Sequence, residues 1–171
     1  MKLLVILLLP ISLFAQSGNV IDEFGHRYLT WKNTEAADTM SDILRTGLMF
    51  SPIFASAFQD NPEKKIVQSA GVLAINYGIT TGIKLLTKRE RPDKSNRMSF
   101  PSGHASTSFA GATMTCMMWQ SKQGCTMLYT LAGLASLSRV FAQKHFLTDI
   151  IFGAGIGYAN STFFPTVVFK W

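Results

Sequence analysis

Five apolar stretches, each cut off by a short polar connection, constrain this chain more than any other feature. They lie at about 46–59, 67–87, 105–119, 125–142 and 149–169. Runs of that length exceed the span of a strand, and their periodicity is helical, so the expected architecture is an all-α bundle of about five core helices. "DNPEKK" separates the first two, "QSKQG" splits a close pair, and longer polar loops join the others. Gly, Ala, Ser and Thr recur inside the stretches, as they do where helix backbones approach closely. Gly153 and Gly157 form a G-x-x-x-G pattern, read as internal packing rather than a dimer seam. Upstream, "TEAADTMSDILRTG" has the pattern of a short amphipathic helix.

The first residues, "MKLLVILLLPISLFAQS", join one Lys to an apolar run ending at Ala15. That run is well short of the roughly 20 residues a bilayer requires, which favours a secretory signal peptide over 1–17, cut after Ala15 or Ser17. The remainder divides into a polar segment at 18–42 and one helical domain at 43–171. With the mature N-terminus outside and five crossings, Lys64, Lys65, Lys122 and Lys170 share the inner face, as the positive-inside tendency requires. A membrane-embedded bundle is therefore expected, with a compact periplasmic bundle as the alternative. Cys116 and Cys125 are too few for a disulfide framework or metal cluster. They are read as two small packed side chains, although one bridge across a helical hairpin fits their spacing.

One loop breaks the charge rule. Between Lys84 and Arg97 stand six bases (Lys84, Lys88, Arg89, Arg91, Lys94, Arg97) against Glu90 and Asp93. Such an excess calls for an anionic partner, and a chain addressed to the envelope is not expected to meet nucleic acid. The same outer face receives "SFPSGHAS" and "SRVFAQKHFLTD". Arg91 and Arg139 offer planar forks for phosphate oxygens, and Lys84 adds a point charge. Ser102 and Gly103 open a helix whose N-terminus can face an anion. His145 and Asp149 stand four apart, so the carboxylate can hold the imidazole in one tautomer. Together with His104, these groups suit phosphoryl transfer: attack by His145, with His104 as proton donor. No metal or other cofactor is required, since no acidic cluster accompanies the histidines.

These clusters resemble the type 2 phosphatidic acid phosphatase (PAP2) family, whose signature is K-x6-R-P, P-S-G-H and S-R-x5-H-x3-D. Lys84 with Arg91-Pro92, then Pro101-Ser102-Gly103-His104, then Ser138-Arg139 with His145 and Asp149 match it without departure. The resemblance implies phosphate binding by Lys84, Arg91, Ser102, Gly103 and Arg139, with His145 as nucleophile, Asp149 as its partner and His104 as acid. It also implies a helical, often membrane-embedded fold with the site at the outer face of the inner membrane. Substrates used across such a family include phosphatidate, phosphatidylglycerophosphate, polyprenyl diphosphates, lipid A-type phosphates and soluble esters. A periplasmic acid phosphatase and a vanadate-dependent haloperoxidase are the alternatives. The lack of a G-x-S-x-G elbow opposes Ser102 as a hydrolase nucleophile.

Outside the signature, His26 is expected at the surface. Lys88, Arg89, Lys94 and Arg97 are expected to be solvated or to meet lipid headgroups. Phe100 and Phe146 either line an entrance for an acyl or prenyl chain or pack in the core.

Overall fold

The computed structural model describes residues 19–29 and 34–167. Within them the chain forms six helices and no strand: α1 Val20–Tyr28, α2 Thr34–Ser56, α3 Pro62–Thr87, α4 Gly103–Trp119, α5 Lys122–Phe141 and α6 Leu147–Val167. The expected signal peptide, Lys170 and Trp171 lie outside the described residues.

Two boundaries differ from the sequence reading. The amphipathic stretch and the first apolar stretch are one helix, α2, which runs through Pro52. Helix α3 starts at Pro62, inside the polar connection, because Pro at the first position costs no intrahelical hydrogen bond. Helix α1 falls within the segment expected as polar chain. Its signals are short-range: Asn19 Oδ1 accepts from Asp22 N at 2.9 Å, acids occupy its first turn and bases its last.

Helix α4 occupies the centre, packed chiefly against α6, α2 and α5. Its sequence, GHASTSFAGATMTC, explains why, since small side chains let neighbouring backbones come near. A Cβ at Gly111 would overlap the Leu48 carbonyl of α2, and one at Gly157 would overlap the Ser106 carbonyl. At Gly153 it would stand 2.5 Å from the Ser102 carbonyl oxygen. The G-x-x-x-G face is therefore spent on packing α6 against α4.

The interior is small and polar rather than large and apolar. Ser41, Ser56, Ser69, Asn76, Thr80, Ser106, Thr113 and Thr115 are all buried. Hydroxyls satisfy one another across helices, as Ser51 with Thr115 (2.7 Å) and Thr80 with Ser106 (3.0 Å). Large apolar side chains face outward instead, among them Phe54, Val67, Tyr77, Leu86, Leu134, Ile151, Tyr158 and Phe163. Of the described helices, α3 is long and apolar enough to cross a membrane.

The cysteines take the option that the sequence reading set second. Cys116 and Cys125 form a disulfide across the α4–α5 turn, with Cα atoms 5.1 Å apart. The turn is short enough to bring the end of one helix beside the start of the next. This end of the bundle lies opposite the Ser102–His104 turn, at the far end of α4.

Candidate active site

Three chain segments that are distant in sequence meet at one end of the bundle: the α3–α4 loop, the first turn of α4, and the α5–α6 connection with its flanking turns. Ser102 caps α4, accepting from Ala105 N at 3.4 Å, and its own N–H donates to the Asp149 carbonyl at 2.9 Å. That second bond ties the Pro101–Gly103 turn to the start of α6. Gly103 faces Lys84, whose Cε would lie 3.9 Å from a Cβ there. The Lys84 ammonium is positioned by backbone, donating to the carbonyls of Met98 (2.6 Å) and Ser99 (3.3 Å).

Arg139 sits in the last turn of α5, only 5% exposed. One of its terminal nitrogens pairs with Asp38 of α2, while its Nε is buried and has no hydrogen-bond partner among the described residues. Arg91 likewise has a buried, unpartnered Nε. A guanidinium N–H is a donor well suited to a phosphate oxygen. His104 Nε2 lies 2.6 Å from Asp42 Oδ1, one helical turn beyond Asp38 on α2. Two carboxylates of α2 thus rest on two signature groups, Arg139 and His104.

His145 is buried at 2% exposure, and its backbone N–H donates to the Arg139 carbonyl at 3.2 Å. Its Nδ1 lies 3.4 Å from Asp149 Oδ2, close enough for electrostatic support but not in hydrogen-bond geometry. Burial, aided by the cations Lys84 and Arg139, outweighs the support from Asp149 and pushes the imidazole pKa down to about 3. The ring is therefore neutral at ordinary pH, with a lone pair available.

Asp149 is fixed by far more than its histidine. Its Oδ2 accepts from Ser99 Oγ (2.5 Å) and Phe146 N (2.8 Å), and its Oδ1 accepts from Arg89 Nη1 (2.7 Å). Arg89, expected to be solvated with Lys88, Lys94 and Arg97, is instead 4% exposed. The other three are exposed, as is His26. The difference is packing: α1 and the α6 start enclose Arg89, and an enclosed charge survives only when paired. Phe146 lies under its guanidinium, 4.2 Å from ring centroid to Cζ. Phe100 is core, 1% exposed and beside Phe152.

The model of the PAP2 superfamily matches residues 65–171. The chain belongs to the PAP2 superfamily. A lipid A 1-phosphatase of Porphyromonas gingivalis is 32% identical over 96 residues, covering 55% of this chain and 22% of that protein. The chain thus spans little more than a fifth of that relative. The crystal structure of Aquifex aeolicus LpxE shares the fold at a TM-score of 0.59 and 22% identity, over 91% of this chain and 92% of that one. All eight candidate site positions of the PAP2 signature converge at this end of the bundle. Sequence reasoning missed Ser99, Arg89, Asp22, Asp38 and Asp42, which sit outside the signature. Ser99 and Arg89 lay beside motif residues without any local mark; the three aspartates stand upstream of the matched region.

Proposed function

We propose that this PAP2 protein is a metal-independent phosphatase that hydrolyses phosphate monoesters or diphosphates of lipids through a phosphohistidine on His145. The observation that carries this reading is the buried His145 beside Asp149, at the end of the bundle where Lys84, Arg91 and Arg139 also converge. The Nε2 lone pair attacks phosphorus, the bond to the leaving oxygen breaks, and that oxygen takes a proton from His104. Water, giving its proton back to His104, then cleaves the N–P bond and releases inorganic phosphate. Lys84, Arg91 and Arg139 stabilise charge on the non-bridging oxygens, aided by the Ser102–Gly103 turn at the α4 N-terminus. A substrate phosphate must take Arg139 from Asp38 and His104 from Asp42.

The many large apolar side chains that face outward support a lipid setting. The name of the Porphyromonas relative favours a lipid A-type phosphate among the candidates. The test is phosphate release by detergent-purified protein in EDTA, from lipid A-type phosphate, phosphatidate, phosphatidylglycerophosphate, undecaprenyl diphosphate and p-nitrophenyl phosphate. Release from a lipid is expected. Release from the soluble ester alone would replace this reading with a periplasmic acid phosphatase, and halide oxidation with vanadate would replace it with a haloperoxidase.

The pH profile follows from the sign of the His145 shift. A nucleophile with its pKa lowered to about 3 stays unprotonated as acidity rises. Burial and the neighbouring Arg139 cation lower His104 to about 4, so activity is expected to be greatest at acid pH and to fall as pH rises through about 4 and His104 loses its proton. An acidic limb centred near the ordinary histidine value of about 6.5 would contradict a buried, neutral His145.

The compartment we propose is the cell envelope. Disulfides persist where the surroundings are oxidising, so Cys116–Cys125 supports that compartment for the α4–α5 end of the bundle. In acid-quenched cells both cysteines are expected to resist maleimide until a reductant is added. Labelling without reductant would put that end in the cytosol, as the positive-inside arrangement has it.

A further inference from the structure

Around Asp149 lies a buried charge cluster whose other members, Arg89 and Asp22, the PAP2 signature does not contain. Arg89 bridges two carboxylates: Nη1 donates to Asp149 Oδ1 at 2.7 Å, and Nη2 pairs with Asp22 Oδ2. Asp22 belongs to α1, outside the matched region, and is 2% exposed. Its carboxylate also receives Thr148 N (3.0 Å) and Thr148 Oγ1 (2.8 Å) on Oδ1, capping the start of α6 beside Asp149. Asn19 Nδ2 donates to its Oδ2 at 2.6 Å.

We infer that Asp22, acting through Arg89, is a positioning residue for the Asp149–His145 pair, so that α1 is part of the working site. The argument is one of charge. Two carboxylates share one guanidinium, which leaves the cluster one negative charge in excess on the His145 side. Without Asp22, Arg89 offsets Asp149 completely, and an imidazole that becomes cationic on phosphorylation loses its counter-charge. A carboxylate drawn wholly toward Arg89 is also a poorer orienter of the ring, since the 3.4 Å separation from Nδ1 leaves little to lose. Water cannot compensate, because Asp22, Arg89 and Asp149 are all sealed from it. The kinetic consequence rests on the proposed phosphohistidine reaction; the effect on the ring does not.

The test compares full-length wild type with Asp22→Asn, Asp22→Glu and Arg89→Lys in detergent, each checked for helicity and thermal midpoint. Phosphate release gives kcat and KM. In parallel, 15N-histidine spectra at pH 7 report the tautomer of His145, assignable because the chain has 3 histidines and His104→Gln removes one. For Asp22→Asn we expect kcat to fall about 10–100-fold, the scale of outer partners that orient a working imidazole, with KM little changed. The His145 pattern should shift from one tautomer to a mixture. Asp22→Glu, which keeps the charge, should restore most of kcat. If Asp22→Asn does not fold, Arg89→Lys makes the same test, because a single ammonium cannot bridge both carboxylates as a fork does. A folded Asp22→Asn with unchanged kcat or an unmoved His145 signal overturns the inference, and so does an Asp22→Glu as slow as the amide. Wild type that releases no phosphate, while Asp22→Asn still moves the His145 signal, overturns the phosphatase reading and upholds the positioning role.

Discussion

Replacing His145 with alanine is expected to abolish turnover, by about 10,000-fold or more, while the bundle stays folded. The reason is the division of labour around the ring. Loss of a nucleophile removes the covalent route itself, and the cradle alone can only bind phosphate. Stability should hold, because Nδ1 makes no hydrogen bond among the described residues that removal of the ring would orphan, and Asp149 keeps Arg89, Ser99 and the Phe146 N–H. The backbone of the connection is unaffected, since the Lys144 and His145 N–H groups both donate to the Arg139 carbonyl. The check is an alkaline quench of protein mixed with 32P-labelled substrate, followed by phosphate counting on the chain. Wild type should carry acid-labile label and His145→Ala none. Label on His145→Ala would move the nucleophile elsewhere, with His104 the first position to map.

The second large effect is expected at Arg139. Arg139→Ala should lower kcat/KM about 100–1,000-fold, the scale of losing one preorganised donor to developing charge. Arg139→Lys should recover little of it, because the planar fork is what reaches two oxygens at once. The fold should tolerate either change. The carboxylate left behind, Asp38, has a side chain that is 37% exposed and can turn to solvent. The kinetic signature matters as much as the size. A loss confined to KM would show that Arg139 holds ground state and transition state equally, and would remove it from the charge-stabilising set.

Much of this site is short-range in origin, and those parts were legible. Ser102, Gly103 and His104 are consecutive, and a Ser before a helix caps it. His145 and Asp149 share a helix face because they stand four apart. Lys84 at the end of α3 faces Gly103 at the start of α4 because one loop joins them. Even the Gly153–Gly157 face carried its meaning in its spacing, although only the approach of the Ser102 and Ser106 carbonyls shows what it packs against. The join of two stretches into α2 is not legible because the change of polarity near residue 46 resembles a boundary, yet packing against neighbouring helices keeps the chain helical through it.

Partner choice among charges was not legible, and Arg89 shows why. Lys88, Arg89, Lys94 and Arg97 are neighbours in one basic run, and no local pattern separates the buried one from its exposed companions. What separates them is which positions α1 and the start of α6 close over, contacts made with residues 60 and 67 positions away. Asp22, Asp38 and Asp42 are equally plain in sequence, yet each takes a partner from a distant segment in the fold. The amino-acid order by itself determined the helices, their caps and the alignment of motif residues along each helix, because those follow from a 3.6-residue period and local hydrogen bonding. Tertiary structure alone decided which charges lose water, and a charge without water must take the nearest opposite charge that packing delivers.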